Sequence, residues 1–156
     1  MLNSLLTSTL LATSALSAVV SAQQGLPKWK VTNFNGACAR QGCTYDFTIS
    51  SPPSGSIPSF SAKCSGEEKR AELKTYFKPC NVNDGGLGNR GVGAKYMARE
   101  SIDVGTYSAL IVTFAYTDLS SASPGFVHNY TGQAPITINQ SSGPAYDFIV
   151  TPKESV

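Results

Sequence analysis

The feature that most constrains this chain is a two-residue alternation of apolar and polar side chains, broken by turn-forming clusters about every dozen residues. It is clearest in "CTYDFTIS", where Cys43, Tyr45, Phe47 and Ile49 fall on one face and Thr44, Asp46, Thr48 and Ser50 on the other. Successive side chains of a strand point to opposite faces, so such a segment buries one face and wets the other. The same reading holds for "KWKVTNF", with Trp29 and Val31 inward, and for "SALIVTFAYT", with Leu110, Val112, Phe114 and Tyr116 inward. It extends to "SIPSFSAKC", "GVGAKYMARE", "GFVHNY", "APITIN" and "YDFIVTP", giving about eight strands. Turn chemistry stands between them in "SPPSGS", "NDGG", "SSASPG" and "SSGP". Only "EEKRAEL", Glu67 to Leu73, has helix-forming composition, and it is long enough for one or two turns. The expected class is all-β, a compact antiparallel barrel or sandwich.

Leu5 to Val20 is an apolar and small-residue run without an acidic or basic side chain, and it closes on "VSA" at Val20 to Ala22. It reads as a secretory signal peptide cleaved after Ala22, although its n-region offers only the amino terminus as positive charge. Removing residues 1–22 from 156 leaves 134, which suits one secreted β domain over 23–156. The most apolar later segment, "ALIVTFAY", is strand-length, so no stable membrane insertion is expected.

Four cysteines in a secreted chain are expected to be oxidised. Cys38 and Cys43 are spaced neither like a redox C-x-x-C nor like half of a paired zinc site, and the single histidine is His128. Of the three possible pairings, loop entropy separates none decisively. The intervening "ARQG" can close a tight turn if Gly42 takes a positive φ, which favours Cys38 with Cys43 and Cys64 with Cys80. No metal and no cofactor is expected.

A net charge of +2 without a basic run argues against nucleic acid as a partner. Charged residues make up 14% of the chain, well under the usual share, as in an extracellular β protein. "GLGNRG", Gly86 to Gly91, matches a dinucleotide fingerprint in letters only, since no strand–turn–helix context surrounds it. Its functional reading is a recognition loop presenting Asn89 and Arg90. Neither a G-x-S-x-G elbow nor an H-E-x-x-H is present, and His128 is expected to point away from the Phe126 side or into a loop. Asp46, Asp103, Asp118 and Asp147 could pair across a barrel as acid and base, but most are expected to be solvated strand-face or turn residues, and with no catalytic motif the chain is not expected to be an enzyme. Sequons at Asn129 ("NYT") and Asn139 ("NQS") are candidate glycosylation sites if they lie at the surface. Aromatic residues occur in almost every strand and are expected to fill the interior, with a cavity for an apolar small molecule as the rival use.

"WKVTNFNG", then "SFSAKCSG", then "ELKTYFKPC" resemble the secreted fungal proteins of the Alternaria major-allergen family, whose bridge spacing Cys64 to Cys80 also shares. No cysteine follows Cys80, where those proteins place their other bridge. With a signal peptide and four cysteines, the chain also resembles the hypersensitive-response-inducing protein elicitors of Magnaporthe and its relatives. The likeness covers Trp29 to Cys80. It implies a β-barrel or sandwich released to the host apoplast, recognised by a plant surface or apoplastic component, and provoking defence and local cell death. Two rival expectations come from other classes: a carrier of a phenolic or lipid-like ligand, and a cell-wall-directed enzyme or inhibitor.

Overall fold

The computed structural model describes residues 25–69, 76–97, 108–120, 124–138 and 143–155. Among these there are nine strands: β1 (Trp29–Ala39), β2 (Gly42–Ser51), β3 (Phe60–Lys69), β4 (Lys78–Pro79), β5 (Asn81–Asn83), β6 (Arg90–Met97), β7 (Ser108–Thr117), β8 (Val127–Ile136) and β9 (Tyr146–Ser155), of which seven come from the alternating segments and two, β4 and β5, are short ones. All pairings are antiparallel, in the order β4-β6-β7-β8-β9-β1-β2-β3-β5. The result is an all-β, nearly closed barrel, the first of the two architectures expected from the alternation. Among the described residues no helix is long and apolar enough to cross a membrane. Residues 1–22, expected to be a signal peptide, and Arg70 to Leu73 of the helix-forming stretch lie outside the described residues, while Glu67 to Lys69 end β3.

Closure happens in a single residue. β4 pairs with β6 and β5 with β3, and only Cys80 separates them, so residues 78–83 form a strap crossing from one sheet edge to the other. The Cys80 amide donates to the Val92 carbonyl at 2.9 Å, and its sulfur is bonded to Cys64 in β3, which is fully buried. Lower in the same seam Tyr45 reaches across from β2. Its register partner is Gly66, where an added Cβ would lie 2.4 Å from the Tyr45 ring carbon Cζ. The ring therefore lies over the glycine, and its hydroxyl donates to the Ala94 carbonyl of β6 at 3.1 Å.

Two departures from simple alternation shape the barrel. "GFVHNY" and "APITIN", expected as separate strands, are one continuous β8. Gly132 between them is a close-approach residue rather than a turn: an added Cβ would lie 2.4 Å from Val150 Cγ1 and 3.2 Å from Trp29 Cζ3. Pro135 further along lies past Gln133, the last β8 residue in the ladder with β9, so its missing N–H costs that ladder nothing. The second departure is a bulge in β1. Thr32 pairs with Thr48 but Asn35 with Asp46, so Asn33 and Phe34 together oppose one residue of β2. Asn33 takes φ 54°, a conformation Asn tolerates better than most residues, and its amide donates to Asp147 Oδ1 at 3.0 Å. Strict alternation from Trp29 would turn Asn33 inward; the bulge buries Phe34 instead.

The interior is filled by side chains. Trp29, Phe60 and Phe114 pack around one another, with Phe60 and Phe114 stacked at 4.3 Å between centroids. Phe34, Phe47 and Tyr45 form a second group nearer the other end.

Candidate functional site

The registers place the β1–β2 hairpin, Tyr146 and Ile136 at one end of the barrel, the lower end, and Trp29, Phe60, Arg90, Thr117 and Val127 at the upper end. Each predicted site residue can be located on this frame.

At the lower end, Arg40 and Gln41 form a two-residue turn between paired Ala39 and Gly42, and Cys38 faces Cys43 with Cα atoms 4.0 Å apart. Gly42 has φ 154°, and an added Cβ would meet the Glu68 carbonyl oxygen at 2.2 Å, so both backbone shape and space call for glycine. The two predicted disulfides are thus present, and no cysteine is free. The Tyr96 hydroxyl reaches across to within 3.8 Å of Cys38 Sγ and lies 2.9 Å from Ser108 Oγ.

At the upper end, Asn89 and Arg90 are half-buried and tied to their neighbours. Asn89 Nδ2 donates to the Thr117 carbonyl at 3.1 Å, while the Thr117 amide donates back to the Asn89 carbonyl at 2.9 Å. Arg90 opens β6 and donates from Nη1 to the Ser59 carbonyl at 2.7 Å. The loop before them is pinned as well, because Asp84 accepts from the amides of Gly86 and Gly88 at 2.9 and 2.7 Å, with Gly85, Gly86 and Gly88 all at positive φ. A shallow groove of about 210 Å³ runs between this segment and the β7–β8 turn, lined by Asn89, Arg90, Tyr116, Thr117 and Val127. Exposed Leu87, Leu119, Phe126 and Val127 give this end an apolar rim.

His128 does not point away from Phe126. Residues two apart in a strand share a face, and the two rings meet edge to face at 4.9 Å, while His128 stacks on Tyr116 at 4.9 Å and lies 3.7 Å from Glu154 Oε1. Asp118 sits in the adjoining turn, where the Ser120 amide at 2.7 Å holds its carboxyl below the ordinary carboxylate range. Tyr130 is buried alongside, and burial, assisted by Tyr116 and Glu154, pushes its hydroxyl up to about 12. The Tyr45 hydroxyl at the seam is raised further still, by burial first and by the Glu68 carboxylate second. Asp46 and Asp147 are exposed, and Asp103 lies outside the described residues. Among the described residues no three His, Cys, Asp or Glu side chains gather as a metal ion would require.

Asn129 is exposed on β8, and Asn139 lies outside the described residues.

Sequence reasoning missed one feature at the lower end. A half-open cleft of about 250 Å³ lies between the β1 bulge and the segment leading into β9, lined by Phe34, Asn35, Gly36, Thr137, Pro144 and Tyr146, among others. Tyr146 is 38% exposed, and its hydroxyl donates to the Thr137 carbonyl at 3.2 Å while accepting from the Thr137 amide at 3.3 Å. That exchange fixes the ring, which lies 5.3 Å from Phe34 and 5.6 Å from Phe148 between centroids. The signal was the break of alternation at Asn33–Phe34, which periodicity alone does not reveal. Compared with known proteins, the chain matches no family model, no curated protein and no solved structure.

Proposed function

We propose that the protein is a secreted elicitor or effector, recognised at its surface by a plant component and triggering local defence and cell death. The reading rests on the resemblance over Trp29 to Cys80 and is supported by the two disulfides, which suit an oxidising exterior. The observation that carries it furthest is the filled interior. Trp29, Phe60 and Phe114 occupy the space a barrel carrier would give to an apolar ligand, so a partner meets the outer surface and the two ends. The rim of Leu87, Leu119, Phe126 and Val127 beside the half-buried Asn89 and Arg90 is the surface best suited to recognition, being apolar at its centre and held on a pinned scaffold. No catalytic residue is assigned; the activity is one of binding.

The test is infiltration of the purified oxidised protein into leaves. Necrosis and an oxidative burst are expected, weaker after boiling with reductant, and weaker for folded protein carrying Leu119→Ser with Phe126→Ser. Absence of any response in several hosts would overturn the reading.

A further inference from the structure

The lower-end cleft has a chemistry of its own, independent of the elicitor reading. Its floor is aromatic and apolar: the buried Phe34, the backbone of Gly36 packed against Ile138, and the exposed face of Tyr146. None of its lining residues is charged, and the exposed Asn35 and Thr137 are the ones with polar side chains beside the Tyr146 hydroxyl. Two exposed carboxylates stand outside this lining: Asp46, the register partner of Asn35 in β2, and Asp147, which accepts from the Asn33 amide at 3.0 Å and lies 3.9 Å from Lys30 Nζ. A ligand held here therefore needs no charge, one flat apolar face, and an edge of hydrogen-bonding groups.

Size narrows this further. An apolar cavity of about 150 Å³ holds a single benzene-sized ring, and drug-sized ligands use roughly 300 Å³ or more. The cleft, at about 250 Å³, sits between them and is half open to solvent. One six-membered ring fits, with the remainder of a chain running out of the opening. A planar apolar ring would leave the Asn35 and Thr137 groups covered without partners, which costs affinity. A pyranose ring offers axial C–H bonds to the Tyr146 face and hydroxyls to the rim. The platform is also preorganised, because the Thr137 backbone fixes the Tyr146 ring before any ligand arrives, so little side-chain freedom is lost on binding.

We propose that this cleft binds one neutral pyranose unit of a saccharide. The bulge at Asn33–Phe34 builds it, as bulges elsewhere re-aim side chains beside functional sites. The site takes a single sugar residue, so its affinity for an isolated unit is weak, in the millimolar class, and a chain of identical units raises it only by about the number of units.

The proposal is tested by following backbone amide resonances of the oxidised protein during titration with methyl glucoside, cellohexaose, chitohexaose, laminarihexaose and xylohexaose. Saturable shifts centred on Asn35, Gly36, Thr137 and Ala145 are expected with at least one of them. Tyr146→Leu keeps apolar bulk and removes the aromatic face, and it should weaken binding at least about tenfold. Ala145→Trp at the exposed rim should block the cleft and do the same, and each variant's spectrum shows in the same experiment that the barrel is intact. No saturable shift at these amides with any of the five saccharides, shifts confined to the upper end, or unchanged binding by both folded variants would overturn it. None of these outcomes bears on leaf necrosis, so the two readings fail separately.

Discussion

Gly132 shows how a single position can mislead a reading of alternation and then explain the packing. In the sequence it interrupts "YTGQAP" and suggests a break; in the barrel it is the point where β8 passes over Val150 and Trp29. Gly132→Ala should lower stability by about 1–3 kcal/mol, the usual cost of over-packing, and thermal unfolding will show it as a reduced Tm. Glycine's two roles, turn and close approach, have the same letter, which is why this part of the fold was not readable. The buried hydroxyls carry a second expectation. Tyr130 has a folded pKa of about 12 against an ordinary 10.0, and Tyr45 is raised in the same direction. Below pH 10.0 both states are protonated and the stabilisation is complete. Above it the unfolded chain loses its protons first, so stability falls from about pH 10 towards 12. Unfolding midpoints across that window should drop, and Tyr130→Phe should flatten part of the drop.

The β1–β2 hairpin was readable because its signals agree: alternation on both sides, a turn with glycine at its exit, and two cysteines placed to face each other. Loop-closure entropy assigns the six-residue loop about 2 kcal/mol, so Cys38→Ser with Cys43→Ser should cost roughly that in denaturant unfolding and leave the barrel otherwise intact. A larger loss would mean that the bridge also holds Tyr96, whose hydroxyl lies 3.8 Å from Cys38 Sγ. The strands β4 and β5 escaped notice for the opposite reason. At two and three residues they are too short to show a period, and they exist as strands only because β6 and β3 stand ready to pair with them. The bulge in β1 escaped because an extra residue shifts the phase without changing the composition, and with it went the cleft that Phe34 and Tyr146 form. The inward residues of β2 and β7 were read correctly, since both strands keep their phase from end to end.

For the molecule as a whole, all-β architecture and both bridges follow from alternation, turn spacing and cysteine placement, whereas the choice of barrel over sandwich and the way the barrel shuts do not. It shuts with residues 78–83, held by Cys64–Cys80 across a 17-residue loop that entropy alone rates at about 3 kcal/mol. The bridge has a further role that an entropy figure omits. Strands β3 and β6 are the two borders of an otherwise continuous sheet, and the strap pairs with them at Ser61–Lys63 and at Gly93–Ala94. A border left bare is a template onto which another chain can add a strand. Cys64→Ser with Cys80→Ser should therefore form oligomers as it loosens, visible by light scattering as a concentration-dependent species before the barrel melts, while the Cys38/Cys43 double variant should stay monodisperse. On this expectation, the single residue at which the chain changes edges would keep two strand borders from adding a neighbour's strand, and would do so only where thiols stay oxidised.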